Sequence, residues 1–193
     1  ERENTRLRNT MKLLESHDTY EEVDAYIIGW SSTDWSNTLT INRGTSAGIT
    51  ENMVAITDNG EVGGLVSQVG PNFAVVKTVL DSTLEISATI ATSGYNGMVS
   101  GGYIEGNDKY NDTLLQMNYL PSESIIRNKD QVVTSGSTLY PRGLILGSVV
   151  DAGFKETGVA KYAVLKPAAE ISSLEQIFIV TNFRTESEVT NGN

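Results

Sequence analysis

The sequence predicts a mainly β protein, with an N-terminal coiled-coil helix followed by two small β-barrel or sandwich domains. Three observations lead there. Short runs with period-two alternation recur about every 8–12 residues, separated by Gly, Asn and Asp. Asn59-Gly60, the strongest short-range hairpin signal in the chain, lies between Met53–Ile56 and Val62–Val69. Only the first 17 residues carry apolar spacing of the helical kind and no Gly or Pro.

In chain order, Leu7, Met11 and Leu14 are spaced four and three apart, the a/d pattern of a coiled coil, with Arg2, Glu3, Arg6, Arg8, Lys12 and Glu15 around them. The helix is expected over 1–19. It reads either as the end of a longer coiled coil used for self-association or as an amphipathic helix packed on its own domain; alone it would be marginal. Val23, Ala25 and Ile27 then alternate with polar or aromatic residues as a strand. Trp30 to Asn37 reads as a polar loop holding both tryptophans, and Thr38–Asn42 as a second strand.

The Asn59-Gly60 turn is expected to be type I′, with positive φ at both central residues. Gly63-Gly64 inside the outgoing strand implies a bulge or a close backbone approach, so Gly63→Val should impair folding or assembly. Strands follow at 73–80 and 85–90, and a second hairpin signal sits at Asn96-Gly97, leading into Met98–Ile104. Residues 105–112 read as a polar loop, and 114–120 as a strand ended by Pro121. The apolar runs at 132–134, 143–150, 162–165 and 177–181 complete the set. The expected division is 20–95 for the first β-domain, 96–183 for the second, and a disordered tail over 184–193. The stretch 54–66 is loosely similar to 132–147, each a strand, a turn and a glycine-marked strand.

The chain has 193 residues, 39% hydrophobic and 20% charged, with a net charge of −10. That balance disfavours nucleic acid and anionic lipid, which need clustered Lys and Arg. With no cysteine, disulfides, thiolate chemistry and Cys-based zinc sites are excluded. No apolar run approaches the ~20 residues that span a bilayer, so any membrane anchor is expected upstream of Glu1.

Chemistry is sparse. The one histidine, His17, is placed at a helix end, away from any nucleophile and orienting acid. Asp58, Glu61, Asp81, Glu85, Asp108, Asp112 and Asp130 mostly fall in turns, where acids bond to the local backbone. Gly60 to Gly64 matches neither G-x-G-x-x-G nor Walker A and lies between strands. No catalytic, metal or cofactor-binding residues are assigned, and none of these groups is expected. Trp30 and Trp35 flank a Ser/Thr loop, either as a contact for a partner or glycan or as aromatics closing a barrel end.

A series of segments adds to this reading: Glu3-Asn4-x-x-Leu7-Arg8, Trp35 to Gly44 with Gly48-Ile49, Thr57-Asp58-Asn59-Gly60-x-Val62-Gly63, and Val69-Gly70-Pro71-Asn72. Then come Val133-Thr134-Ser135-Gly136, Pro141-Arg142-Gly143-Leu144-x-x-Gly147, and Val164 to Glu170 with Ser173-Leu174-Glu175. In this order, over roughly residues 1–180, they resemble the MreC family of bacterial rod-shape determinants. The resemblance implies a membrane-anchored extracytoplasmic protein with a coiled coil and two β-domains, similar to chymotrypsin-like barrels but without a triad. It implies a scaffold for the peptidoglycan-synthesis machinery, with penicillin-binding proteins, RodA and MreD as partners, and dimers or filaments as the assembled state. The stretch 103–128 matches least well, with a longer Asn/Asp-rich loop at 106–112.

The resulting expectation is a non-catalytic, self-associating scaffold that organises cell-wall elongation. The competing readings are a cell-wall polysaccharide-binding module using Trp30 and Trp35, and a degenerate trypsin-like hydrolase.

Overall fold

The computed structural model describes residues 20–32, 37–105, 109–155 and 158–183. The expected coiled coil, with Leu7, Met11, Leu14 and His17, lies outside these residues, as do Trp35 and the tail. Twelve strands run in chain order: β1 (Tyr20–Ser32), β2 (Asn37–Ile41), β3 (Val54–Ile56), β4 (Val62–Val69), β5 (Ala74–Thr78), β6 (Glu85–Ile90), β7 (Asn96–Glu105), β8 (Lys109–Pro121), β9 (Gln131–Thr134), β10 (Ile145–Phe154), β11 (Ala160–Pro167) and β12 (Gln176–Phe183). Single 3-10 turns lie at Thr45–Ala47 and Ile171–Ser173.

The strands close into two six-stranded antiparallel barrels. The first runs β1-β12-β3-β4-β5-β2 and the second β10-β11-β8-β7-β6-β9. Closure satisfies backbone groups that an open sheet would leave at its edges. Alternation builds the first interior: Ala74, Val76 and Thr78 of β5 are buried, while Val75 and Lys77 are partly exposed. Ala25, Leu39, Ile41, Val66, Ile177 and Ile179 join Ala74 and Val76 in that core.

Three segments break the alternation because both their faces are covered. In β3, Ala55 belongs to the first core, whereas Val54 and Ile56 belong to an apolar cluster continuous with the second barrel. In β12, Ile177 and Ile179 face the first core, and Phe178 and Val180 the shared cluster. The buried run Val62 to Val66 in β4 has the same cause. A run of apolar residues is what a strand buried on both sides requires. Leu80 and Leu84 of the inter-barrel connection also pack on the shared cluster.

The expected boundary between β-domains does not hold. β6 pairs with β7 and β9 inside the second barrel, and β12 leaves the second half of the chain to pair with β1 and β3. The first barrel is therefore built from 20–78 and 176–183, and the second from 85–167. The physical reason is that β1 and β3 are not paired with each other; β12 lies between them and completes the ring.

The two hairpin signals also act differently from expectation. Gly60 has φ 75, but Asn59 keeps negative φ, so the turn is not type I′. The Thr57 hydroxyl accepts the amides of Asn59 and Glu61, both at 3.3 Å, and Gly60 N donates to Thr57 O at 3.0 Å. That bonding puts Asp58 and Asn59 at the centre of the turn. At the second site the turn falls at Ala91–Ser93, closed by Gly94 N to Ile90 O at 2.8 Å; Asn96 and Gly97 are already in β7, opposite Thr89 and Ala88. Two expected loops are partly strand. Trp30 to Ser32 extend β1, with Ser32 opposite Asn37, and Lys109 to Asp112 begin β8.

In the outgoing strand, β3 and β4 slip register at Gly63, which is the extra residue of a bulge. Gly64 is the close approach: a Cβ there would lie 2.0 Å from Lys77 O, whereas one at Gly63 would meet nothing nearer than 3.5 Å. Gly64→Ala is therefore expected to destabilise the protein by about 3 kcal/mol or more, and Gly63→Ala by about 1 kcal/mol. Chemical denaturation followed by circular dichroism checks the order; equal losses would contradict it.

Candidate interaction surface

Among the described residues, no group of three or more His, Cys, Asp or Glu is arranged to hold a metal ion. Of the acids expected in turns, Asp108 lies outside the described residues, and others bind both neighbouring and distant groups. Asp130 accepts from Arg127 N at 2.9 Å and from Thr92 Oγ1 at 2.9 Å, and Glu61 accepts from Thr57 Oγ1 at 3.1 Å. What the surface offers is exposed apolar side chains.

The densest run is on β1. Tyr26 alternates with buried Ala25 and points outward, 51% exposed. Between Ile27 and Gly29 the β1–β2 register slips, so Ile28 is an extra residue and is 62% exposed. Beyond the slip, Trp30 pairs with Leu39, whose side chain is in the first core. Trp30 thus lies on the inward face but at the end of the barrel, still 48% exposed. Tyr26, Ile28 and Trp30 are thus exposed one after another along this strip of β1, Tyr26 on the outer face and Trp30 at the barrel mouth, with the bulge between them.

A buried carboxylate holds the strip's hairpin end. Asp81 Oδ2 accepts from Asn37 N at 3.1 Å, and Oδ1 accepts from Thr83 N at 2.8 Å and Thr83 Oγ1 at 2.5 Å. Thr78 Oγ1 donates to Asn37 Oδ1 at 2.8 Å, and Lys77 Nζ to Thr83 Oγ1 at 2.9 Å. Burial alone would raise the Asp81 pKa. The Thr83 hydroxyl and amide, the Asn37 amide and the Lys77 charge outweigh it, holding the carboxyl below its ordinary 3.8. At the other end of the strip, Asn42 Oδ1 accepts from Tyr26 N at 2.9 Å and Arg43 Nε donates to Asp24 O at 3.3 Å.

Sequence reasoning missed a second exposed region, on the second barrel. Tyr119, Ile125, Phe154 and Val159 are all exposed. Lys161 Nζ sits 4.9 Å from the centre of the Phe154 ring and donates to Ser124 O at 2.7 Å. Tyr119 has φ 65, unusual for a bulky side chain, at a slip between β8 and β11. The available signal was the pair Phe154 and Val159 flanking a short polar turn.

Several motif residues meet in space. Thr45 N donates to Gly70 O at 3.0 Å, Ser46 Oγ to Asn72 Oδ1 at 2.9 Å, and Ile145 N to Gly60 O at 3.1 Å. The family model for the barrel core of the rod shape-determining protein MreC matches residues 27–181. The chain belongs to the MreC family. It is 29% identical over 184 residues to the cell shape-determining protein MreC of Bacillus subtilis, covering 93% of this chain and 63% of that relative. The chain thus spans a little under two thirds of the curated relatives it matches.

Among solved structures it is similar to the major periplasmic domain of the cell shape-determining filament MreC, with TM-score 0.69 and 26% identity over 84% of this chain and 96% of that one. A complex between penicillin-binding protein PBP2 and MreC from Helicobacter pylori contains a similar fold, with TM-score 0.63 and 16% identity over 84% of this chain and 99% of that one. MreC proteins are cell shape-determining.

Asp81 should show in the acid limb of stability. Its folded pKa is depressed, so its contribution is complete above the unfolded pKa and is lost as pH falls through the folded value. Asp81→Asn is expected to lower stability at neutral pH by about 1–3 kcal/mol, with the gap to the parent closing below about pH 4. Denaturation midpoints from pH 3 to 7 measure it; a pH-independent gap would count against the assignment.

Proposed function

We propose that this chain is part of a non-catalytic extracytoplasmic scaffold, anchored by a membrane helix upstream of Glu1, that self-associates and organises the peptidoglycan-elongation machinery. Penicillin-binding proteins are the partners best supported, because a protein of this fold has been solved with one. RodA, MreD and the coiled-coil self-association of Leu7, Met11 and Leu14 are carried by the family resemblance. The observation that carries the reading is the β1 strip. Aromatic and aliphatic side chains stand exposed along a strand whose path is held by its pairing with β2 and, at the hairpin end, by the buried Asp81 carboxylate. Exposed Tyr and Trp set in a polar rim suit a protein partner.

Changing Tyr26→Ser, Ile28→Ser and Trp30→Ala together is expected to weaken capture of the cognate penicillin-binding protein by about tenfold or more, with the unfolding midpoint held close to the parent's. Undiminished capture by a folded variant would remove the strip from the interface.

A second reading rests on Trp30, whose half-exposed ring at the barrel mouth is a stacking platform for a sugar. Titrating cell-wall fragments against tryptophan fluorescence, with Trp30→Phe as control, separates the two. A saturable change lost in the variant favours the glycan, and a flat response sinks it.

A further inference from the structure

The two barrels share one ring order once the first is read from its last strand. Starting from β12, the first barrel runs β12-β1-β2-β5-β4-β3; starting from β6, the second runs β6-β7-β8-β11-β10-β9. Chain order then matches strand for strand, except that the first barrel's opening strand stands at the end of the chain.

The irregularities match as well. Thr57, directly after β3, and Thr134, at the end of β9, each accept on the hydroxyl the amide of the residue just before the next strand: Glu61 N at 3.3 Å and Leu144 N at 3.0 Å. Their backbone amides donate to the carbonyls of those same residues, Glu61 and Leu144, each at 2.8 Å. Gly60 and Gly143 both have positive φ and donate to the threonine carbonyl, at 3.0 and 2.9 Å. A Cβ at Gly64 or Gly147 would strike a lysine carbonyl of the next strand, Lys77 O at 2.0 Å or Lys166 O at 2.3 Å. Both outgoing strands slip register twice at corresponding places: between partners of Gly64 and Val62, then of Val66 and Gln68, in β4; and between partners of Gly147 and Ile145, then of Val149 and Asp151, in β10. Shared ring order alone would be weak evidence, since few topologies are open to a six-stranded barrel. Shared bulges and hydroxyl clasps are local accidents that ring order does not require.

We infer that the first barrel is a circularly permuted copy of the second, and that β12 is a strap completing it only after the second barrel has formed. The second barrel is one unbroken stretch, and its Ser87–Tyr140 hydrogen bond joins residues 53 apart. The first needs a contact such as Thr181 Oγ1 to Glu21 O, across 160 residues. Long-range pairing bears loop-closure entropy before its contacts form. Folding the second barrel first shortens that loop, because β11 then delivers the 168–175 connection, with Ala168 N on Leu146 O at 3.0 Å and Ala169 and Ile171 buried. Until β12 arrives, β1 and β3 face each other with no strand between them, and the first core lacks Ile177 and Ile179.

Pulse-labelled hydrogen exchange on the refolding full chain tests this. Amides of β6–β11 should become protected first, with those of β1–β5 following together with β12. Simultaneous protection, or β1–β5 first, would overturn it. Ile179→Val, mild enough to keep the fold, should raise exchange in β1–β5 by about three- to tenfold while β6–β11 stay within about twofold. Equal loosening of both barrels would overturn the inference. A permutant of residues 1–193 beginning at Ser173, with Asn193 joined to Glu1, keeps every residue of this chain and makes both barrels contiguous. Its β1–β5 lag should shrink, and an unchanged lag would contradict the role of β12.

Discussion

The seating of β12 between β1 and β3 is the constraint on which the rest depends. It closes the first barrel, and it supplies Ile177 and Ile179 to one core while giving Phe178 and Val180 to the other. Each fully buried side chain of that size contributes about 2 kcal/mol relative to exposure. A single eight-residue strand therefore carries a large share of a folded state whose net stability is of the same order as a few such contacts.

The β1 strip begins where that seating ends: β12 pairs with β1 as far as Tyr26, and β2 pairs with it from Ile27 to Ser32. β1 has β12 on one side and β2 on the other, so its path is fixed along its described length. Only against a fixed strand does the slip at Ile28 turn its side chain outward and bring Trp30 to the barrel mouth. Asp81 adds the second fixed point, tying Asn37 at the hairpin end to the connection between barrels. This is the surface that the proposed binding role assigns to a partner. Its partner can pair with side chains that need little reordering.

Much of this was legible in the residues. The β class, nearly all strands, the glycine-marked bulge at Gly63 and the likeness of 54–66 to 132–147 rest on local signals, which are set by alternation and turn chemistry. Long-range partnership was not. Ile177-Phe178-Ile179-Val180 announces a strand buried on both faces, yet nothing in it says which strands flank it. The boundary near Asn96 was misplaced for the same reason, since a dipeptide with turn preference sits equally well in a strand whose turn lies three residues earlier. The β1 strip was half legible: Trp30 stood out by type and Tyr26 follows from alternation with buried Ala25, but the slip at Ile28, which sets Trp30 opposite Leu39 at the barrel end, has no mark in the alternation. Asp81 looked like any acid in a turn, and only the fold brings Asn37 to it.

Because the chain has no cysteine, a single engineered pair can test the role of β12 directly. Glu21 and Asn182 are exposed and opposite each other on β1 and β12. In a variant with Glu21→Cys and Asn182→Cys, oxidation should raise protection of β1–β5 amides to the level of the second barrel, and reductant should reverse it. The cross-link closes a loop of most of the chain, for which stabilisation of about 5 kcal/mol is expected. If the oxidised protein opens its first barrel as readily as the reduced one, β12 is not the contact on which that barrel depends.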